Sequence, residues 1–356
     1  MNEPTRRQLA ALSFVMLLSP ATRLLPGAAA RLGGALGWLS PLLAAPAGAL
    51  IALLVNRAMR RCAPGEGLGG LLLRAYPRLG RALLALCGLW LTFYAGFAVR
   101  SAASRFIYTI YTGAPPRFFV IAGLGAGLLA ALGGIKRLAR AAEIFRPLLL
   151  AALVPMLALS LTELNPGALI SAPDVPGLLE GAAEAVGTLG FALVYLPLLE
   201  TNEYVPGRGR ALALWSLRES LLFALVTAAV IGRFGAAAAG AMTYPFFALV
   251  RNTGLFGVAE RIEALVTALW VLSDFVLAAL SLMAAARALR LDLGLKRERR
   301  LAALCALAAL AAAWACAPDA LALRYVSEVL VVRGNLAVLA LLLAASAAAA
   351  RRAGQR

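Results

Sequence analysis

The stretch Leu9-Ala10-Ala11-Leu12-Ser13-Phe14-Val15-Met16-Leu17-Leu18-Ser19-Pro20-Ala21-Thr22 decides the fold class. Its apolar residues run on without the alternation of a half-exposed strand. The run continues past Pro20 as far as about residue 34, long enough for a helix crossing the hydrocarbon, which takes about 20 residues. Arg6 and Arg7 stand before it. Arg6, Arg7, the run Leu9–Leu18 and the small residues Gly27–Ala30 also have the form of a signal peptide. The charge pattern of the later loops favours retention of the segment as a membrane span.

The rest of the chain repeats the theme. Of its 356 residues 62% are hydrophobic and 14% charged, against roughly 25% charged in soluble domains. One aqueous core cannot hide so many long Leu, Ala and Val runs. The bilayer has to be the solvent, and there the backbone must satisfy itself within helices or a closed barrel. Continuous runs select helices. The net charge of +17 would suggest nucleic acid in a soluble protein, but here Lys and Arg cluster between the apolar runs. They read as orientation signals and as contacts to anionic lipid headgroups, not as a nucleic-acid surface. The sequence contains no histidine, which argues against haem, His-metal sites and histidine bases. Cys62, Cys87, Cys305 and Cys316 form no CxxC pair and read as small apolar residues. No clustered carboxylates stand at ligand spacing. We therefore expect no enzyme, no metal and no cofactor.

The hydropathy pattern predicts an all-α polytopic protein with about ten spans, near 8–34, 38–56, 82–104, 117–135, 146–162, 181–200, 211–232, 262–286, 300–317 and 333–350. Most of the 34 basic residues then fall in segments on one side, together with both termini, which places those termini in the cytoplasm. The segment 163–180 has acids but no Lys or Arg, as an external loop can. We expect one domain over 1–356, with halves of about 1–165 and 175–350. The first span carries Pro20 and Pro26, and the sixth carries Gly187, Gly190 and Pro197. Interruptions at matching positions of two halves predict discontinuous helices one and six, an inverted five-plus-five repeat and a solute site near the midplane.

Ser19-Pro20-Ala21-Thr22-Arg23-Leu24-Leu25-Pro26-Gly27, with Trp38 beyond, resembles the first span of the amino acid–polyamine–cation permease superfamily. Gly133-Gly134-Ile135-Lys136-Arg137-Leu138-Ala139-Arg140-Ala141-Ala142-Glu143-Ile144, then Pro147, resembles the connection between spans four and five of the spore-germination permeases, the GerAB-type subunits of germinant receptors. Tyr244-Pro245-Phe246, Arg251, Arg261-Ile262-Glu263 and Trp270 resemble their approach to span eight. The chain departs from the pattern at Ser19-Pro20-Ala21, where relatives often have glycines, and at Ala192, where many have an acid. The resemblance implies the five-plus-five fold. It also implies an amino acid or similar solute held between spans one, three, six and eight, and partner receptor subunits in the spore inner membrane, where nutrients are sensed during sporulating organisms' return to growth. A transporter of the superfamily with no germination role is the alternative.

Ser19, Ala21, Thr22, Gly187, Thr188 and Gly190 are candidate ligand residues, because interrupted helices expose backbone N–H and C=O groups and glycine lets a ligand approach closely. Phe191 follows the second interruption. Asp274 and Arg23 are costly in hydrocarbon and should face an interior cavity, binding the ligand's ends or each other. Tyr94 and Trp270 are candidates for shaping the pocket. Arg251, Arg261 and Glu263 are candidates for an external gate, and Thr267 and Ser273 offer hydroxyls to a coupling cation. We predict that reporter fusions after Arg140 and after Arg300 read cytoplasmic and one near Asp174 reads external. An external signal after Arg300 would refute the topology.

Overall fold

The protein was analysed as a computed structural model, which describes residues 4–63, 66–109, 113–199, 209–253, 262–295 and 297–354. All its regular elements are helical among those residues. In chain order they are α1 (Arg6–Gly33), α2 (Ser40–Met59), α3 (Leu68–Ala75), α4 (Pro77–Thr109), α5 (Pro116–Gly133), α6 (Ile135–Thr162), α7 (Val175–Ala185), α8 (Ala192–Leu198), α9 (Gly209–Phe234), α10 (Ala236–Ala241), α11 (Pro245–Asn252), α12 (Ile262–Leu293), α13 (Glu298–Ala315), α14 (Ala320–Tyr325) and α15 (Val332–Ala353). Wider π turns, Val186–Gly190 and Val326–Val331, join α7 towards α8 and α14 to α15.

Seven stretches are long and apolar enough to cross a membrane, with mean hydropathies of 1.6 to 2.1. The first, Arg7–Met59, holds two of the expected spans. The expected sixth span is broken at Phe191, between its π turn and α8, and the ninth opens on Glu298, Arg299 and Arg300. Neither is therefore among the seven. Surface chemistry agrees with a lipid solvent. Leu89, Leu129, Ile144, Leu304 and Leu307 are more than half exposed, and such a density of outward apolar side chains is a liability in water but matches hydrocarbon.

The core is built around α1, α4 and α12. α12 lies along α4, which also takes α5 and α13, while α1 is surrounded by α6, α7, α9, α10 and α12. On the other flank α2 packs against α9 and α15. Close approach depends on small residues. A Cβ on Gly96 would stand 2.1 Å from the Ala309 carbonyl oxygen, and one on Gly334 would stand 2.0 Å from the Trp90 ring. Gly134, at φ 86°, turns the chain from α5 into α6, a left-handed conformation that suits glycine. Cys87 and Cys305 are buried and Cys62 and Cys316 half-buried, all as free thiols. Burial pushes the Cys62 thiol up to about 12, which leaves it inert as a thiolate nucleophile.

The first helix departs from expectation. It is continuous from Arg6 to Gly33, although Pro20 and Pro26 lie inside it. The reason is lateral support. Ser273 on α12 donates its hydroxyl to the Val15 carbonyl (2.5 Å) and accepts the Ser19 N–H (2.9 Å). A foreign hydroxyl thus sits in the rung that joins residues i and i−4, just before the proline. The irregular spans of this structure are the sixth and the tenth, which carry the π turns. Overpacking at the close α4–α13 contact gives a test. Gly96→Leu should cost at least the roughly 1–3 kcal/mol of an overfilled core and lower the melting temperature in detergent. Gly125→Ala, with open space at its Cβ, should melt as the parent does.

Candidate functional site

Each helix of the core sends a polar side chain into one buried cluster. Arg105, fully buried on α4, is ion-paired through Nη2 to Asp274 Oδ2 on α12. Its Nη1 donates to Ser19 Oγ on α1 (2.7 Å), and the Ser19 hydroxyl donates to the other Asp274 oxygen. Phe247 of α11 lies under the guanidinium at 5.0 Å. One turn along α1, Thr22 accepts the Trp270 indole N–H (2.8 Å) and donates to the Leu18 carbonyl (2.7 Å). Trp270 in turn packs on Phe246 and Phe247. Three helices are therefore held together by hydrogen bonds in a place where water cannot compete for them. There an ion pair keeps much of its Coulomb energy but needs every remaining polar valence filled.

A cavity of about 210 Å3 lies beside this cluster. It is lined from α1 by Arg23, Gly27 and Arg31, from α4 by Ser101, Ser104 and Tyr108, and from α7 by Glu184. Tyr244 comes from the segment before α11, and Arg324, Ser327 and Glu328 from α14 and the π turn that follows. Arg23 is held over the Phe97 ring at 5.1 Å, and Phe97 stacks on Tyr94, which meets Phe191 edge-on at 6.1 Å. Glu328 pairs with both Arg31 (3.2 Å) and Arg324 (2.9 Å). A second opening of about 320 Å3, almost wholly apolar, lies between α4, α5 and α12 and reaches Asp274. Among the described residues no group of His, Cys, Asp and Glu could hold a metal ion.

Of the residues expected from sequence, Ser19 and Asp274 touch, Thr22 and Trp270 touch, and Arg23, Tyr94 and Phe191 share one aromatic cluster. Only Arg23 lines the polar cavity. The partner of Asp274 is Arg105 and not Arg23. Ala21 is fully buried as packing. Thr188 bonds the Glu184 carbonyl of its own helix (3.0 Å). Gly187 and Gly190 do not open onto the cavity. A Cβ on Gly187 would meet Val332 and Leu336 of α15, and one on Gly190 would meet Ile51 of α2 at 2.9 Å. Their lack of a side chain serves helix packing here. The Gly187 carbonyl, left over by the π turn, accepts from Asn335 Nδ2 (3.1 Å), whose oxygen takes the Trp90 indole (2.9 Å). Arg251 is exposed and has partners of its own. Arg261 and the side chains of Glu263 and Thr267 lie outside the described residues.

Arg105, Asn335, Glu184 and Glu328 were not singled out from the sequence. Arg105 was hidden by the rule that a charge marks a span's end, since the third span was expected to stop at 104. A helix of 33 residues, Pro77–Thr109, carries it inward instead.

The apolar helical bundle defines the class, a polytopic membrane protein. The chain belongs to the spore germination permease family, whose pattern of spore germination proteins it matches over residues 5–320. It resembles the crystal structure of MhsT in complex with L-phenylalanine, with a TM-score of 0.66 at 15% identity, covering 96% of this chain and 90% of that one. It also resembles Mhp1, a nucleobase-cation-symport-1 family transporter in a closed conformation with bromovinylhydantoin bound, with a TM-score of 0.67 at 19% identity over 89% and 75% of the two chains. At such identities the likeness concerns the fold. No curated protein matches the sequence.

The ion pair can be tested directly. Removing one partner of a buried pair strands the other and costs about 3–5 kcal/mol. Asp274→Ala and Arg105→Ala should each lower the melting temperature strongly in detergent, and the double variant should be less destabilised than the sum of the two. Strict additivity would mean that the two groups are not coupled.

Proposed function

We propose that this protein binds a small zwitterionic solute, an amino acid or a close relative, in the cavity beside the Arg105–Asp274 pair. We propose further that it senses a nutrient germinant as the permease-fold subunit of a spore germination receptor. The observation that carries the reading is the cavity's lining of both signs. Arg23, Arg31 and Arg324 line a space of about 210 Å3 together with Glu184 and Glu328, the last paired with Arg31 and Arg324. That volume is below the roughly 300–1,000 Å3 of drug-sized sites, which limits the guest to a small solute. A carboxylate suits the arginine side and an ammonium suits the glutamates, with charge-assisted bonds at each end. MhsT, of the same fold, was crystallised with L-phenylalanine, and family membership supports the germination role.

In this reading the fold is a five-plus-five repeat with cytoplasmic termini, and the cavity opens to the outside of the spore inner membrane. Glu328, holding Arg31 and Arg324 together across the cavity wall, closes the solute in when the pairs form. The Arg105–Asp274–Ser19 cluster is the floor that the solute's binding shifts. Neighbouring receptor subunits read that shift. Trp270, Tyr94 and Phe191 shape the floor from behind, and Ser19 and Thr22 set the position of α1.

The purified protein, screened with the common L-amino acids, should show a melting-temperature rise with at least one of them. Arg23→Gln should weaken that binding by about tenfold or more, since a charge-assisted bond is worth roughly 1.5–3 kcal/mol. Exposed Arg117→Gln should leave it unchanged. No stabilisation by any amino acid would contradict the proposed solute class. Uptake of the labelled amino acid into proteoliposomes would favour the transporter reading over that of a pure sensor.

A further inference from the structure

Among the described residues two acids are buried in the helical core, and they are treated differently. Asp274 has an arginine and a serine on its carboxylate. Glu219, at the middle of the face that α9 turns inwards, is 6% exposed, and its Oε2 is buried with no hydrogen-bond partner. One turn earlier on the same helix the Trp215 indole N–H is also buried without a partner. An ionised carboxylate in such surroundings costs far more than a neutral one, and an unpaired intramembrane acid is rarely kept without a use.

Among the described residues the charged groups of the neighbouring helices do not supply a counter-ion. On α9 itself, Arg218 is exposed and Arg233 pairs with Glu163. On α1, Arg31 pairs with Glu328 and Arg23 lies on Phe97. On α2, Arg57 is exposed. On α6, Glu143 pairs with Arg7, Lys136, Arg137 and Arg140 lie in the first two turns, and Arg146 is half-buried near the middle of the helix. On α11, Arg251 is exposed. The neighbouring surface is tight and apolar. α9 lies against α2, where a Cβ on Gly48 would stand 2.1 Å from Ser216 Oγ, and Ala44 and Ala45 are buried on the next turn.

We propose that Glu219 is a proton-binding site at the α2–α9 contact, carrying its proton while the two helices are closed on each other and releasing it when they part and water enters. The sign follows from solvation. The neutral acid favours the closed contact, and loss of the proton favours the parted one. Rising pH therefore drives α9 away from α2. The site lies apart from the solute cavity, so it does not depend on which solute is bound.

The test uses the full-length protein in lipid nanodiscs without added solute. Infrared difference spectra on stepping from acid to alkaline pH should show loss of a protonated-carboxyl carbonyl band, and Glu219→Gln should lack that band. Tryptophan fluorescence should change over the same pH interval, and the change should vanish in Trp215→Phe. A band of equal size in Glu219→Gln overturns the proposal, as does a parent spectrum in which this carboxyl is ionised throughout. If Glu219→Gln fails to accumulate, parent against Trp215→Phe still decides. A fluorescence change that survives Trp215→Phe, or no change at all, refutes it.

Discussion

A guanidinium and a carboxylate buried together in hydrocarbon constrain everything that touches them. Arg105 is fully buried and Asp274 nearly so, so both have given up most of their hydration. Their attraction repays the loss of water only if the geometry is good and the spare lone pairs and protons are used. Ser19 fills one such valence by accepting from Arg105 and donating to Asp274, and the Phe247 face covers the guanidinium. This requirement fixes the depth of α4 relative to α12 and ties α1 to both. A slide of any of the three by one turn would strand a charge.

The same constraint explains why a proline-bearing helix stays whole. Pro20 has no N–H to give to the turn before it. The missing bond is the one to the Met16 carbonyl, and Ser273, one residue before Asp274, supports the neighbouring Val15–Ser19 rung with its hydroxyl. Thr22 and Trp270 repeat the device a turn further on. The acid that anchors α12 and the serine that mends α1 are adjacent in sequence, so one placement of α12 serves both. The cost of irregular backbone is met elsewhere by side chains in the same way. The carbonyl freed at Gly187 by the π turn is taken by Asn335.

The polar cavity rests on this frame. Its arginines and glutamates come from α1, α7, α14 and the π turn before α15, elements that meet only because the central helices are pinned. Glu328 lies within reach of Arg31 and Arg324 at once. Such pairs, a third exposed, are worth little as stability. Their place on the cavity wall gives them more scope as a closure than as a support.

The sequence by itself determined the solvent and the element type. Runs such as Leu9–Leu18 cannot be kept from water in one core, and in a bilayer the backbone has to close its hydrogen bonds within helices. It also marked Ser19, Thr22, Trp270 and Asp274 as costly or unusual in their places, and the order of motifs pointed to the family. The tertiary structure alone decided who partners whom. Arg105 lies 169 residues from Asp274 in the chain, and periodicity carries no information about contacts at that separation. Hydropathy treats an arginine as the end of a span, so a charge deep inside is hidden unless its acid is seen beside it. Gly187 and Gly190 show the converse. A glycine's open side serves a ligand or a neighbouring helix equally well, and only the tertiary structure shows Ile51 and Val332 standing against these two.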